Sequence, residues 1–148
     1  MPRKKVRDDI RCPSPKEVDC YVKQWNEEHT LEKYRNQENA LNTLFGRIAR
    51  QNILFDEIFI KVFILDTFYS TNIKYNPGHY AISRHIHDLN IDEQLSHDNE
   101  ELVNHIAHGI SDGKEFNVFS FATKYCSFHR PSNYPIFDVN VKKLLIHF

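Results

Sequence analysis

The amino-acid sequence predicts an all-α fold, a single domain of about seven short helices. Three observations predict it. Helix start signals recur at Ser14-Pro15-Lys16-Glu17, at Asn76-Pro77 and at Asp98 with Glu101. Apolar residues recur at helical spacing between them. The chain has only four glycines and six prolines, and they fall mostly outside the periodic stretches. A length of 148 residues suits one domain. With 41% hydrophobic and 26% charged residues, the composition excludes disordered, low-complexity and collagen-like chains.

Residues 1–12 read as a basic flexible tail, with Arg3, Lys4, Lys5 and Arg7 and no apolar period; the helical domain is expected over 13–148. Ser14, Pro15 and Glu17 form a capping box that opens a first helix carrying Val18, Tyr21, Val22 and Trp25. A second helix is expected over Glu38–Arg50, burying Leu41, Leu44, Phe45 and Ile48. The third, from about Ile53 to Tyr69, is apolar on most of its circumference and is expected to be central and buried. Asn76-Pro77 opens a fourth, with Tyr80, Ala81, Ile82 and Ile86. Asp98 and Glu101 open a fifth, with Leu102, Val103 and Ile106, that stops near Gly109. Asp112-Gly113 marks a turn. A sixth helix is expected from about Asn117 to Phe128. After the loop Arg130–Pro135, Asp138 stands at the N-cap of a seventh that holds Val141, Leu144 and Leu145.

Charge is distributed unevenly: 11 basic against 8 acidic groups in residues 1–50, 3 against 10 in 51–112, and 5 against 2 in 113–148. Basic ends around an acidic middle are compatible with a polyanionic partner. No apolar run reaches the roughly 20 residues of a membrane span, because Asp56, Glu57 and Lys61 break the strongest one. The N-terminus has no secretory pattern, and the three cysteines are odd in number and scattered. Both features point to a reducing, cytoplasmic location without a disulfide framework.

The stretch Ser120–Leu145, SFATKYCSFHRPSNYPIFDVNVKKLL, carries the functional signal. Pro135, Ile136, Asp138 and Val141 resemble the segment Pro-Ile-x-Asp-x-x-Val that closes the catalytic motif of helix-hairpin-helix DNA glycosylases, most closely the 8-oxoguanine-glycosylase-like branch. The resemblance implies an all-α glycosylase-like domain and makes Asp138 the catalytic carboxylate. Ser120 stands where bifunctional members place their lysine, as in some monofunctional members, and Lys124 lies one helical turn further along the same face. The hairpin glycines of the family are replaced by Phe116 and Val118 within Lys114–Val118, and no cysteine-rich cluster tail is present.

The chemistry is intelligible in itself. Cleavage of an N-glycosidic bond builds positive charge on the sugar, and a fixed carboxylate stabilises it and orients water. The candidate catalytic set is Asp138, Lys124 and Ser120. The candidate DNA-binding set is Arg130, His129, Lys142, Lys143, Tyr69 and Asn72, the last two as residues that enter the gap left by a flipped base. His85 with His87 and His105 with His108 are close in sequence, but no closed ligand set accompanies them and no metal is expected. Cys126 and His129 are three apart, without a third group to complete a nucleophile. No cofactor is implied. Two functions follow: a DNA glycosylase acting through Asp138, or a catalytically inactive module that binds nucleic acid or protein, in DNA defence for example. The apolar end, Leu144, Leu145, Ile146 and Phe148, predicts a protein partner, self-association or a truncated domain.

Overall fold

The computed structural model describes residues 13–147. The expected basic tail, Cys12 and Phe148 lie outside the described residues. Eight α-helices and a two-stranded ribbon make up the domain: α1 (Pro15–Glu27), α2 (Glu32–Thr43), α3 (Phe55–Tyr69), α4 (His79–Leu89), α5 (Ile91–Ser96), α6 (Leu102–Ala107), β1 (His108–Ser111), β2 (Lys114–Asn117), α7 (Phe119–His129) and α8 (Val139–His147). The domain is all-α in character, as the helix signals predict. α3 packs against α4 and α7, and α7 also against α6. Between them Leu41, Phe45, Ile58, Val62, Ile86 and Tyr125 close the core.

The capping box forms as read. Ser14 Oγ accepts from the Glu17 amide at 3.2 Å, and Glu17 Oε2 accepts from the Ser14 amide at 2.9 Å. The helix it starts buries none of its residues, so Val18, Tyr21 and Val22 face solvent. The Arg35 guanidinium, donating to the carbonyls of Trp25 and Glu28, ties its end to α2.

The second helix begins six residues earlier than expected and ends in a π-turn, Leu44–Ile48, closed by the Ala49 amide on the Leu44 carbonyl at 2.8 Å. The wider i→i+5 turn shifts the helical phase. Leu41, Leu44 and Phe45 are buried as expected, but Ile48 turns outward.

α3 is only half buried. Ile58, Val62 and Leu65 face the core, while Phe59, Ile60 and Phe63 remain exposed because α4 and α7 cover one side alone. Asn76-Pro77 does not cap α4, which starts at His79 after Gly78. Asp98 does not cap the helix it precedes. It adopts a left-handed backbone and pairs with Arg130 at 3.0 Å, and Glu101 stands at the N-cap.

The ribbon between α6 and α7 and the short α5 were not anticipated. Asp112 and Gly113 have φ of 51° and 72°, the pair of positive values that a tight hairpin turn requires. Gly109 lies opposite Phe116, and a Cβ there would stand 2.5 Å from Phe116 Cζ. Any side chain at this position would push the Phe116 ring out of its place under the ribbon.

Candidate functional site at the junction of α7 and α8

α7 is the most buried helix of the domain, with every residue from Phe121 to Ser127 enclosed. The loop after it returns to its first turns through one side chain. Thr123 Oγ1 accepts from the Phe137 amide at 3.1 Å and shares its one proton between the Ser120 carbonyl, at 3.0 Å, and the Phe137 carbonyl, at 3.2 Å. That double bond places the next residue, Asp138, at the N-cap of α8. Asp138 Oδ1 accepts from the amides of Asn140, at 2.9 Å, and Val141, at 3.0 Å. The Val141 amide, then the Asn140 amide and the Lys124 charge, hold its carboxyl below the usual range against the opposing effect of partial burial. Asp138 is therefore ionised at neutral pH, half-buried, with Oδ2 free of hydrogen bonds among the described residues.

Lys124 faces it from α7. Its side chain is buried, donates to Ser120 Oγ at 2.8 Å, and lies 5.8 Å from the centre of the Tyr69 ring. Burial lowers its pKa, and the Asp138 charge acts in the other direction. The three catalytic candidates, Ser120, Lys124 and Asp138, are thus brought into one neighbourhood, with Tyr69 beside them. Tyr69 also lines a cavity of about 360 Å³ whose walls include Trp25, Tyr34 and Phe68, with Glu38 at its side. Trp25 on α1 and Tyr34 and Glu38 on α2 belong to no motif that marks them as functional groups.

The remaining candidates scatter. Asn72 is an exposed loop residue of left-handed backbone, and Lys142 and Lys143 lie on the outer surface of α8. Arg130 pairs with Asp98. His129 ends α7 turned toward Phe45, Tyr125 and Lys61. Cys126 is enclosed, its thiol pushed up to about 12 by burial, so it is no nucleophile. His105 and His108 bond to Gln94 and to the Asn104 carbonyl, and among the described residues no three potential ligands converge on a metal position.

A second polar centre went unread. Lys61, from the apolar third helix, is completely buried and donates to the Ala49 carbonyl at 3.1 Å, the Gln51 carbonyl at 2.9 Å and Asn52 Oδ1 at 2.6 Å. Tyr125 Oη also donates to Asn52 Oδ1, at 2.6 Å, while the Asn52 amide and side chain both bond to Asp92. Burial lowers the Lys61 pKa to about 8, with Asp92 and Glu57 opposing. Burial, with the Lys61 charge, lowers His129 to about 3. The signal in the sequence was one lysine inside the run Ile58–Leu65, where every other residue is apolar.

Fold and site thus describe a small helical domain with a capped aspartate and a buried lysine at one helix junction. The chain belongs to the HI_0787_N family, described as an N-terminal domain, whose model matches residues 17–133. That span contains Lys61, Ser120 and Lys124 and ends before Asp138. A Haemophilus influenzae protein that carries the name "Uncharacterized protein" is 35% identical over 109 residues, covering 71% of this chain and 54% of the relative. The chain therefore spans about half the length of this curated relative. No solved structure matches it. No helix among the described residues is long and apolar enough to cross a membrane.

Proposed function

We propose that this domain is a DNA glycosylase-like protein that takes a damaged or modified base out of the duplex and cleaves its N-glycosidic bond through Asp138. One observation carries the reading: an ionised aspartate, fixed by two backbone amides and with one oxygen free, shares its surroundings with the buried ammonium of Lys124. Such a carboxylate stabilises the positive charge that grows on the sugar as the base leaves, and it orients the attacking water. The amides of Val141 and Asn140 favour the charged carboxylate, Lys124 adds to them, and Ser120 holds Lys124 in place. The neighbouring aromatic cavity supplies rings on which an extruded base can stack. A cytoplasmic location is in keeping with the free thiols of Cys20 and Cys126.

The binding-module alternative has its own support. The stretch that replaces the glycine hairpin, Lys114–Val118, forms β2 and its exit, with Phe116 and Val118 buried. It offers no pair of open glycine amides to a phosphate. A module lacking that grip would bind without turnover.

The two readings separate on Asp138→Asn. Asparagine still caps α8, so stability should change by less than roughly 1 kcal/mol. Base release from a panel of lesion-containing duplexes should fall about a hundredfold or more, in line with the loss of a preorganised charge. Equal release by variant and wild type removes Asp138 from catalysis. No release by either, with binding retained, favours the module.

A further inference from the structure

Phe45 and His129 line a second, larger cavity, of about 750 Å³, that is separate from the lining of the aromatic cavity beside Tyr69. Arg47, Arg50 and Arg130 line it, against the carboxylates of Glu57 and Asp92. Asp92 is occupied by Asn52 through both oxygens. Arg130 is shared with Asp98. Arg47 and Arg50 are exposed and make no ion pair among the described residues.

The wall is rigidly built. The π-turn Leu44–Ile48 carries Arg47 into it, and the buried Lys61 pins the next residues through the carbonyls of Ala49 and Gln51 and the side chain of Asn52. Arg50 is held between those anchors. π-turns of this kind concentrate at functional sites. His129 also lines the cavity, with its Nε2 3.4 Å from the Lys61 ammonium.

We infer that this cavity is a binding site for a phosphomonoester, with the guanidiniums of Arg47, Arg50 and Arg130 taking the doubly charged terminal phosphate and Phe45 and Ile48 flanking the group that carries it. Planar guanidinium forks match phosphate oxygens in pairs, and several of them favour a dianion over a singly charged diester. The phosphate comes either from a free nucleotide or from the end of a nucleic-acid strand. The inference is independent of Asp138.

The test uses two matched pairs of probes at low ionic strength: thymidine monophosphate against thymidine, and tetrathymidylate with and without a 5′-phosphate. The phosphorylated member of at least one pair should bind roughly tenfold more tightly, as a charge-assisted contact predicts. A preference within the nucleoside pair identifies a free nucleotide as sufficient. A preference within the oligonucleotide pair alone identifies a strand end. In both cases the double variant Arg47→Ala, Arg50→Ala should abolish the preference while leaving the melting temperature nearly unchanged, since both side chains are exposed. No preference in either pair overturns the site, as does a preference that survives the loss of both arginines. Base release is not read in this test, so it and the Asp138 reading fail separately.

Discussion

Lys61 on α3 and Lys124 on α7 are both buried, yet they live in opposite circumstances. Lys61 donates to three oxygens, two of them backbone carbonyls, and its ammonium has no donor to spare. Lys124 has one short bond, to Ser120 Oγ at 2.8 Å, and a weak one to the Ser120 carbonyl at 3.5 Å. A buried cation with all its protons engaged is structural: the fold closes around it and nothing else can approach. A buried cation with a donor left over beside an ionised carboxylate retains free energy of interaction that a ligand can still collect. The contrast separates a lysine whose donors are all engaged from one with a donor left over.

Three substitutions and titrations bear on that contrast. Lys61→Met should have the largest effect. It leaves two carbonyls without a donor in the interior, at about 1–3 kcal/mol for each orphaned group. A loss of about 3 kcal/mol overall corresponds to a fall of roughly 10 °C in melting temperature for a domain of this size. A variant as stable as wild type would end the structural account of Lys61.

The alkaline titration comes next. The folded pKa of Lys61, about 8, lies below its ordinary 10.5. Between these values the unfolded chain holds the proton that the folded chain has released, so stability rises with pH in that window. The full gain is bounded at about 3 kcal/mol by the size of the shift. Denaturant unfolding of wild type from pH 8 to 10.5 should show the rise, and Lys61→Met should lack it. Parallel curves for the two proteins would contradict the assignment.

The smallest effect belongs to Lys124→Met. Only one good hydrogen bond is lost, and Ser120 can turn its hydroxyl elsewhere, so the expected cost is about 1 kcal/mol or less. Destabilisation equal to that of Lys61→Met would make both lysines structural and erase the distinction.

The sequence made the helices legible where local chemistry decides them. Ser14 and Asp138 cap the helices they were expected to cap, because a side-chain oxygen and a nearby amide suffice for that. It was silent where tertiary partners decide. Nothing local distinguishes the covered face of α3 from the open one, since both are apolar and only the positions of α4 and α7 settle the matter. Asp98 has the chemistry of a cap but is taken by Arg130, 32 positions along the chain. The Asp112-Gly113 turn was visible, but the ribbon it closes depends on Gly109 meeting Phe116, a contact absent from any local window. At the junction, Ser120, Lys124 and Asp138 were readable because one motif spans them. The Lys61 centre gathers residues from positions 49 to 129, and no spacing rule spans that distance.

The hydroxyl of Thr123 has a consequence beyond the bonds it makes. Both of its contacts with residue 137 go to main-chain atoms, so the clasp is indifferent to which side chain stands there. What indexes Asp138 to α7 is a single oxygen, which accepts from the Phe137 amide and shares its proton between the carbonyls of Ser120 and Phe137. Serine in place of Thr123 keeps that index. Valine, nearly the same in shape, loses it and unfastens the carboxylate from the helix that carries Lys124. Arg130 and Tyr134 fix the intervening loop, through Asp98 and the Asn99 carbonyl, and the hydroxyl of Thr123 sets the last step of the register.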